Sequence, residues 1–263
     1  MRGEMEDLIE AVKSAANEVF TELGAGHREG VYEEALSHEF RLRGYTYERQ
    51  RNCEVIYKKH TVGTTRIDLI LGSKLIVETK AVKRLTESHR NQIRAYYETS
   101  GLSKGIILNF PPESDEVVLE NVLCASARKR KEERPVSTAG SAKDILGQVR
   151  AAADEVCSIL GTEFAYQGSD IYGNALNVEF RLRKIPYIYQ TSELLYKNHI
   201  VDTFNNFLVD GKYLVNLEFE EHISEEAEEE MKFGLQLSKL KQGLIINFPP
   251  GAVSVEIKEI RII

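Results

Sequence analysis

The stretch Arg66-Ile67-Asp68-Leu69-Ile70-Leu71-Gly72-Ser73-Lys74-Leu75-Ile76-Val77-Glu78-Thr79-Lys80 sets two carboxylates and an amine in an otherwise apolar run. Side chains alternate faces along a strand, so Glu78 and Lys80 share one face with Ile76, while Leu75, Val77 and Thr79 share the other. Charged groups on an apolar, β-branched strand lose hydration energy unless something compensates. Asp68, on the other arm of a hairpin, can bring a second carboxylate alongside. Two converging carboxylates suit a hard divalent ion such as Mg²⁺, which prefers oxygen ligands. A neighbouring lysine can orient or activate a water, or stabilise charge on a phosphate. That is a constellation for phosphodiester hydrolysis. A plain ion pair on a half-exposed strand fits the same residues, because Asp-x9-Glu-x-Lys arises readily where 29% of residues are charged.

The elements that must position these groups follow from periodicity. Leu8, Ile9, Val12, Ala15, Ala16, Val19, Phe20 and Leu23 recur at helical spacing, and Gly24 ends the run. A second helix spans about 29–43 and stops at Gly44. Strand-like runs follow near 53–57, 66–71 and 75–82, with Gly72-Ser73 as a hairpin turn between the last two. A helix over roughly 87–99 and strands at 105–109 and 117–122 complete an α/β sandwich around a small mixed sheet.

The whole pattern then repeats. Phe40-Arg41-Leu42-Arg43 returns as Phe180-Arg181-Leu182-Arg183, and Ile56-Tyr57-Lys58 as Leu195-Tyr196-Lys197. Gly105-Ile106-Ile107-Leu108-Asn109-Phe110-Pro111-Pro112 returns as Gly243-Leu244-Ile245-Ile246-Asn247-Phe248-Pro249-Pro250, and Ala15-Ala16-Asn17-Glu18-Val19 as Ala152-Ala153-Asp154-Glu155-Val156. The offset stays between 137 and 140. Two tandem α/β domains are therefore expected, 1–124 and 143–263. Between them 125–142, with Arg128-Lys129-Arg130-Lys131 ahead of a run of Pro, Ser, Thr and Gly, reads as a flexible basic linker or as a nuclear-localisation or nucleic-acid patch.

Asp68 with Glu78-Thr79-Lys80 resembles the D…ExK core of the PD-(D/E)XK nuclease superfamily. Gly26-His27-Arg28-Glu29-Gly30-Val31-Tyr32 is similar to the motif that names the GxxExxY family within it, as are Tyr32-Glu33-Glu34-Ala35-Leu36 and Leu108-Asn109-Phe110. The resemblance covers essentially all of the first copy. It implies a restriction-endonuclease-like fold, and Mg²⁺-dependent (or Mn²⁺-dependent) cleavage of nucleic-acid phosphodiesters. It implies Asp68 and Glu78 as metal ligands, Lys80 as the catalytic lysine and Glu29 as a further carboxylate, with Glu33 the alternative on the same helix face. Gln92 is either a contact to substrate or lysine, or an exposed helix residue.

With His60 set on His199 and Gly72 on Gly211, Asp68 falls on Phe207, Glu78 on Leu217, Lys80 on Phe219, Glu29 on Ser169 and Gly26 on Tyr166. The expectation is a degenerate second copy, its site filled by the apolar face Val215, Leu217 and Phe219 and catalytically dead. Charge follows the same division. Lys83, Arg84, Arg90 and Arg94, with Gln92, lie just past Lys80, where they would meet backbone phosphates. The second copy has Glu220, Glu221, Glu225, Glu226, Glu228, Glu229 and Glu230 there, a block that repels nucleic acid. Residues 143–263 hold 12 of the 34 basic and 19 of the 41 acidic residues, so the net charge of −7 belongs to the second copy. Its acidic helix is either solvated or a contact for the linker or a protein partner.

Cys53, Cys124 and Cys157 are odd in number and have no C-x-x-C spacing, as expected of reduced thiols. No apolar run reaches the roughly 18–20 residues of a membrane span, and the first residues lack a signal-peptide apolar region. The expected location is intracellular, cytoplasmic or nuclear. Two functions are in view. One is a Mg²⁺-dependent nuclease acting through the N-terminal copy, with a structural or regulatory C-terminal copy as an intramolecular pseudo-dimer partner. The other is a non-catalytic nucleic-acid- or protein-binding scaffold subunit.

Overall fold

The computed structural model describes residues 2–124 and 144–263, and the expected linker 125–142 lies outside the described residues. The chain forms two compact units, Met1–Val55 with Thr64–Lys129, and Ile56–Gly63 with Arg130–Ile263.

The first copy runs α1 (Arg2–Leu23), α2 (Glu29–Leu42), β1 (Tyr47–Tyr57), β2 (His60–Leu71), β3 (Leu75–Lys80), α3 (Glu87–Ser100), β4 (Lys104–Asn109) and β5 (Val118–Leu123). Its five strands pair in chain order. β2–β3 and β4–β5 are antiparallel and β3–β4 is parallel, so the connection between β3 and β4 must cross over, and α3 supplies it. One sheet face, with Leu69, Leu71, Leu75, Val77, Ile106 and Leu108, packs on Val12, Ala15, Ala16 and Val19 of α1 and Tyr32, Leu36 and Phe40 of α2. The other, with Ile67, Ile70, Ile76 and Ile107, packs on Ile93, Tyr96 and Tyr97 of α3. β3 is therefore covered on both faces and buried along its whole length. β1 and β2 extend beyond the expected 53–57 and 66–71, because their outer portions are largely exposed and carry no apolar alternation to reveal them.

The second copy repeats the order with α4 (Ile145–Leu160), a short 3-10 turn (Glu163–Gln167), α5 (Ser169–Arg183), β6 (Tyr187–Tyr196), β7 (His199–Val209), β8 (Tyr213–Glu218), α6 (Glu225–Ser238), β9 (Gln242–Asn247) and β10 (Glu256–Arg261). Its sheet has the same neighbour order, with β8–β9 the parallel pair. Among the described residues no helix is long and apolar enough to cross a membrane.

The ladders correct the expected equivalence of the copies by one residue. β2 meets β3 as Leu69↔Val77 to Leu71↔Leu75, and β7 meets β8 as Phe207↔Val215 to Val209↔Tyr213. Leu71 therefore matches Val209. In each hairpin the next two residues have positive φ: Gly72 (58°) and Ser73 (57°), then Asp210 (53°) and Gly211 (62°). The turns close with Lys74 N–H on Leu71 O (3.1 Å) and Lys212 N–H on Val209 O (3.0 Å). Turns of this kind need left-handed backbone at both central positions and take glycine at either. Aligning Gly72 with Gly211 consequently slips the register. Asp68 matches Asn206, Glu78 matches Asn216 and Lys80 matches Glu218, while Phe207 and Leu217 stand where Leu69 and Thr79 are. The parallel ladders agree, with Lys80 opposite Asn109 and Glu218 opposite Asn247. A one-residue slip exchanges the faces of a strand, so the expected apolar filling of the second site is wrong. Carboxamides and a carboxylate take those positions.

Candidate metal centre and active site

The β2–β3 ladder stops at Leu69↔Val77, one residue short of Asp68 and Glu78. Past that point the Thr79 N–H donates to Asp68 Oδ2 (3.1 Å), and the Thr79 hydroxyl donates to the same oxygen (3.0 Å). Glu78 and Lys80 follow Ile76 on their face of β3. Glu29 arrives from the first position of α2, where the helix N-terminus favours a carboxylate.

The turn before α2 explains the spacing Gly26-x-x-Glu29-x-x-Tyr32. Gly24 and Gly26 have φ of 72° and 91°, left-handed values that glycine adopts without penalty. The Tyr32 hydroxyl donates to Gly24 O (2.8 Å) and accepts from His27 N–H (3.3 Å), and its ring stacks on Phe110 at 4.1 Å. Glycine and tyrosine thus fix the turn, and Glu29 is the side chain it delivers.

Ligand oxygens of Glu29, Asp68 and Glu78 lie within 4.8 Å of one another. Lys80 Nζ donates to Glu78 Oε1 at 2.5 Å and to Glu29 Oε1 at 3.3 Å. Glu78 is fully buried, and its Oε2 has no hydrogen-bond partner. Burial pushes the Glu78 carboxyl well above the usual carboxylate range, and the Asp68 charge adds to this against the pull of Lys80. Asp68 is raised by burial, opposed by its Thr79 hydrogen bonds and by Lys80. Glu29 is raised mainly by burial, with Lys80 opposing. Burial works against the Lys80 ammonium, yet Glu78, Glu29 and Asp68 outweigh it and hold its pKa above the ordinary value. Three carboxylates around one lysine leave an excess of buried negative charge and one orphaned acceptor. A divalent, oxygen-seeking cation compensates both, so the residues fit one.

Glu33 is committed elsewhere: its Oε1 accepts from Arg49 Nε (2.7 Å) and Gln50 Nε2 (3.1 Å). Between the two helix carboxylates, the geometry brings Glu29 to the cluster. The basic residues past Lys80 divide. Arg84 is exposed, and Lys83 is exposed in a surface pair with Glu113 at 2.7 Å. Arg90 grips Glu120 with two bonds (2.6 and 3.0 Å). Arg94 bonds Glu87 and Asn91. Gln92 Nε2 donates to the Tyr96 hydroxyl (2.6 Å), which donates to Arg66 O (2.7 Å). Gln92, Arg90 and Arg94 are thus held by other side chains of the same unit rather than by the carboxylate cluster.

Two residues near the site were not legible beforehand. The sequence places Thr79 only on the strand face opposite Glu78 and Lys80. His89 closes a capping box on α3, its Nδ1 accepting from Thr86 N–H at 2.9 Å, where the usual partner would be Glu or Gln. Burial, then the charges of Lys80 and Arg90, lower the His89 pKa. The Thr86-x-x-His89 spacing was the available signal.

In the second copy the scaffold persists. Tyr172 OH donates to Gly161 O (3.0 Å) and its ring stacks on Phe248 at 4.4 Å, as Tyr32 does on Phe110. Asn247 brackets Glu220 N and O (3.1 and 2.9 Å) as Asn109 brackets Val82 (3.0 and 2.9 Å). Asn206, Asn216, Glu218 and Ser169 occupy the positions of Asp68, Glu78, Lys80 and Glu29. Burial raises the Glu218 pKa, with Glu230 and Glu220 adding to it.

The family model described as the PD-(D/E)XK nuclease superfamily matches residues 6–120 and again 143–260. Among solved structures, the crystal structure of SSO0001 aligns at 16% identity and a TM-score of 0.31, over 36% of this chain and 48% of that one. The chain thus spans about half the length of that structure. No curated protein matches the chain.

Proposed function

The chain belongs to the PD-(D/E)XK nuclease superfamily through both copies, and we propose on that premise that it is a Mg²⁺-dependent (or Mn²⁺-dependent) nuclease whose chemistry resides in the first copy. The carrying observation is the cluster of Glu29, Asp68 and Glu78 within 4.8 Å, with a buried, unpartnered Glu78 oxygen and Lys80 bonded to two of its members. The motif at Gly26, Glu29 and Tyr32 supports placing it in the GxxExxY family.

Asp68, Glu78 and Glu29 would hold the divalent ion, which supplies Lewis-acid polarisation of the scissile phosphate and compensates its charge. Lys80, kept protonated by its acidic neighbours, orients a water for in-line attack on phosphorus and stabilises the charge that builds on the non-bridging oxygens. The water surrenders its proton to solvent, the P–O bond to the leaving oxygen breaks, and that oxygen is protonated. Exposed Lys83 and Arg84 contact backbone phosphates, and Arg90, Gln92 and Arg94 secure the helix behind them. The second copy, lacking the acidic triad and carrying the Glu220–Glu230 charge, has a structural or regulatory role. Its acidic helix is the surface offered to a protein partner.

Purified full-length protein is assayed on a panel of single- and double-stranded DNA and RNA with Mg²⁺ or Mn²⁺. Cleavage by the wild type, lost in Asp68→Ala and Lys80→Ala with folding retained, is the expected result. No cleavage of any substrate would instead favour the non-catalytic scaffold reading.

A further inference from the structure

Thr79 is fully buried on the β3 face opposite Glu78 and Lys80, in a layer otherwise made of Leu75, Val77 and their apolar partners. A hydroxyl buried there is costly unless it is bonded, and this one donates to the Asp68 carboxylate. The neighbouring backbone N–H converges on the same oxygen, Oδ2. Two donors on one oxygen fix rotation of the carboxylate about its Cβ–Cγ bond and leave Oδ1 with free acceptor capacity. A backbone donor alone would not hold that angle.

The corrected register supplies an independent comparison within the chain. At the Thr79 position the second copy has Leu217, and at the Asp68 position Asn206. The fold accepts a plain apolar residue at this place in β8, and the hydroxyl is missing in the copy that lacks the acidic triad.

We propose that Thr79 is a positioning residue of the acidic cluster, aiming Asp68 so that one carboxylate oxygen is presented to a divalent cation and thereby setting the cation affinity. This rests on the metal-dependent reading above. Partners that orient metal-ligating carboxylates typically contribute about 10–100-fold in metal affinity. The test is titration of full-length protein with Mn²⁺ alone, free ion being read by electron paramagnetic resonance, for wild type, Thr79→Val and Thr79→Ser. Thr79→Val should bind at least about tenfold more weakly, Thr79→Ser should stay within about threefold of wild type, and the order of affinities should not follow the order of melting temperatures in EDTA. Equal Mn²⁺ affinity in wild type and Thr79→Val would overturn the role of Thr79 alone, as would Thr79→Ser as weak as the valine variant. A wild type that binds no Mn²⁺ would overturn the metal reading and the proposal together. Loss of affinity that tracks a lowered melting temperature in both variants would mark Thr79 as structural only and also overturn it.

Discussion

Replacing Asp68 with Asn should stabilise the metal-free protein and abolish its response to divalent ions. Asp68 offers an oxygen within 4.8 Å of ligand oxygens on both Glu29 and Glu78. At that separation and an effective dielectric of about 20, each like-charge pair repels by about 3.5 kcal/mol. Lys80 offsets part of this, and partial exposure of Glu29 screens its share. An asparagine can still accept both Thr79 bonds through its carbonyl, so the variant should gain about 1–2 kcal/mol in EDTA, or about 4–8 °C for a unit of this size. Saturating Mn²⁺ at about 100 times its dissociation constant should stabilise the wild type by about 2.7 kcal/mol and leave the variant unmoved, reversing their order. The pH dependence has a definite sign. The folded-state pKa of Asp68 is raised, chiefly by burial, so the folded state holds more protons than the unfolded one. The penalty carried by the wild type is full above the raised pKa, shrinks as pH falls through it, and is gone below the ordinary value near 4. Urea unfolding from pH 4 to 8, in EDTA and in Mn²⁺, measures all of this. An Asp68→Asn variant that is less stable than wild type in EDTA at pH 8, or equally stabilised by Mn²⁺, would refute the reasoning.

Two further outcomes follow from the distribution of charge. Replacing Lys83 and Arg84 with Ala should lower the slope of log binding constant against log salt by about 2, near the 0.9 per phosphate expected on duplex DNA. Replacing Arg90 and Arg94 should change that slope little, because Glu120 and Glu87 already occupy them. Mn²⁺ titration of the full chain should saturate at one tight site. A second tight site surviving in Asp68→Asn would show that Asn206, Asn216 and Glu218 still bind an ion.

The two-copy architecture, the mixed sheet and the residues that meet in the acidic cluster, Asp68, Glu78, Lys80 and Glu29, were legible because each has a local signature: repeated words, charges set into the apolar run of β3, and a glycine–tyrosine turn ahead of α2. Other features were not. The exposed outer halves of β1 and β2 belong to strands paired in one sheet, and backbone pairing leaves no mark in apolar alternation. The main partner of Arg90 is visible only once β5 is laid beside α3, since Glu120 lies thirty residues beyond it, whereas Arg94 bonds Glu87 and Asn91 within its own helix. The choice of Glu29 over Glu33 depends on Arg49 and Gln50 arriving from β1. The register of the second hairpin hinged on a turn that accepts glycine at either of two positions, where sequence identity points the wrong way.

Correcting that register changes what the second copy says about the first. Filling the site with Leu217 and Phe219 would have implied that apolar packing must replace the charges for the sheet to survive. Asn206 and Asn216 imply something narrower. Asparagine at position 206 keeps the shape of aspartate, and a carboxamide at either position keeps a polar group while discarding the negative charge; the Asn216 Oδ1 remains buried without a hydrogen-bond partner, as Glu78 Oε2 does. The same fold therefore accommodates neutral polar groups at both places and needs neither charge. Keeping two buried carboxylates within reach of Glu29 disfavours the charged, metal-free state, as the raised pKa values of all three record. On the proposed metal-dependent reading, a cation bound only by the folded state would return that energy, and it would account for Asp68 and Glu78 where the fold does not.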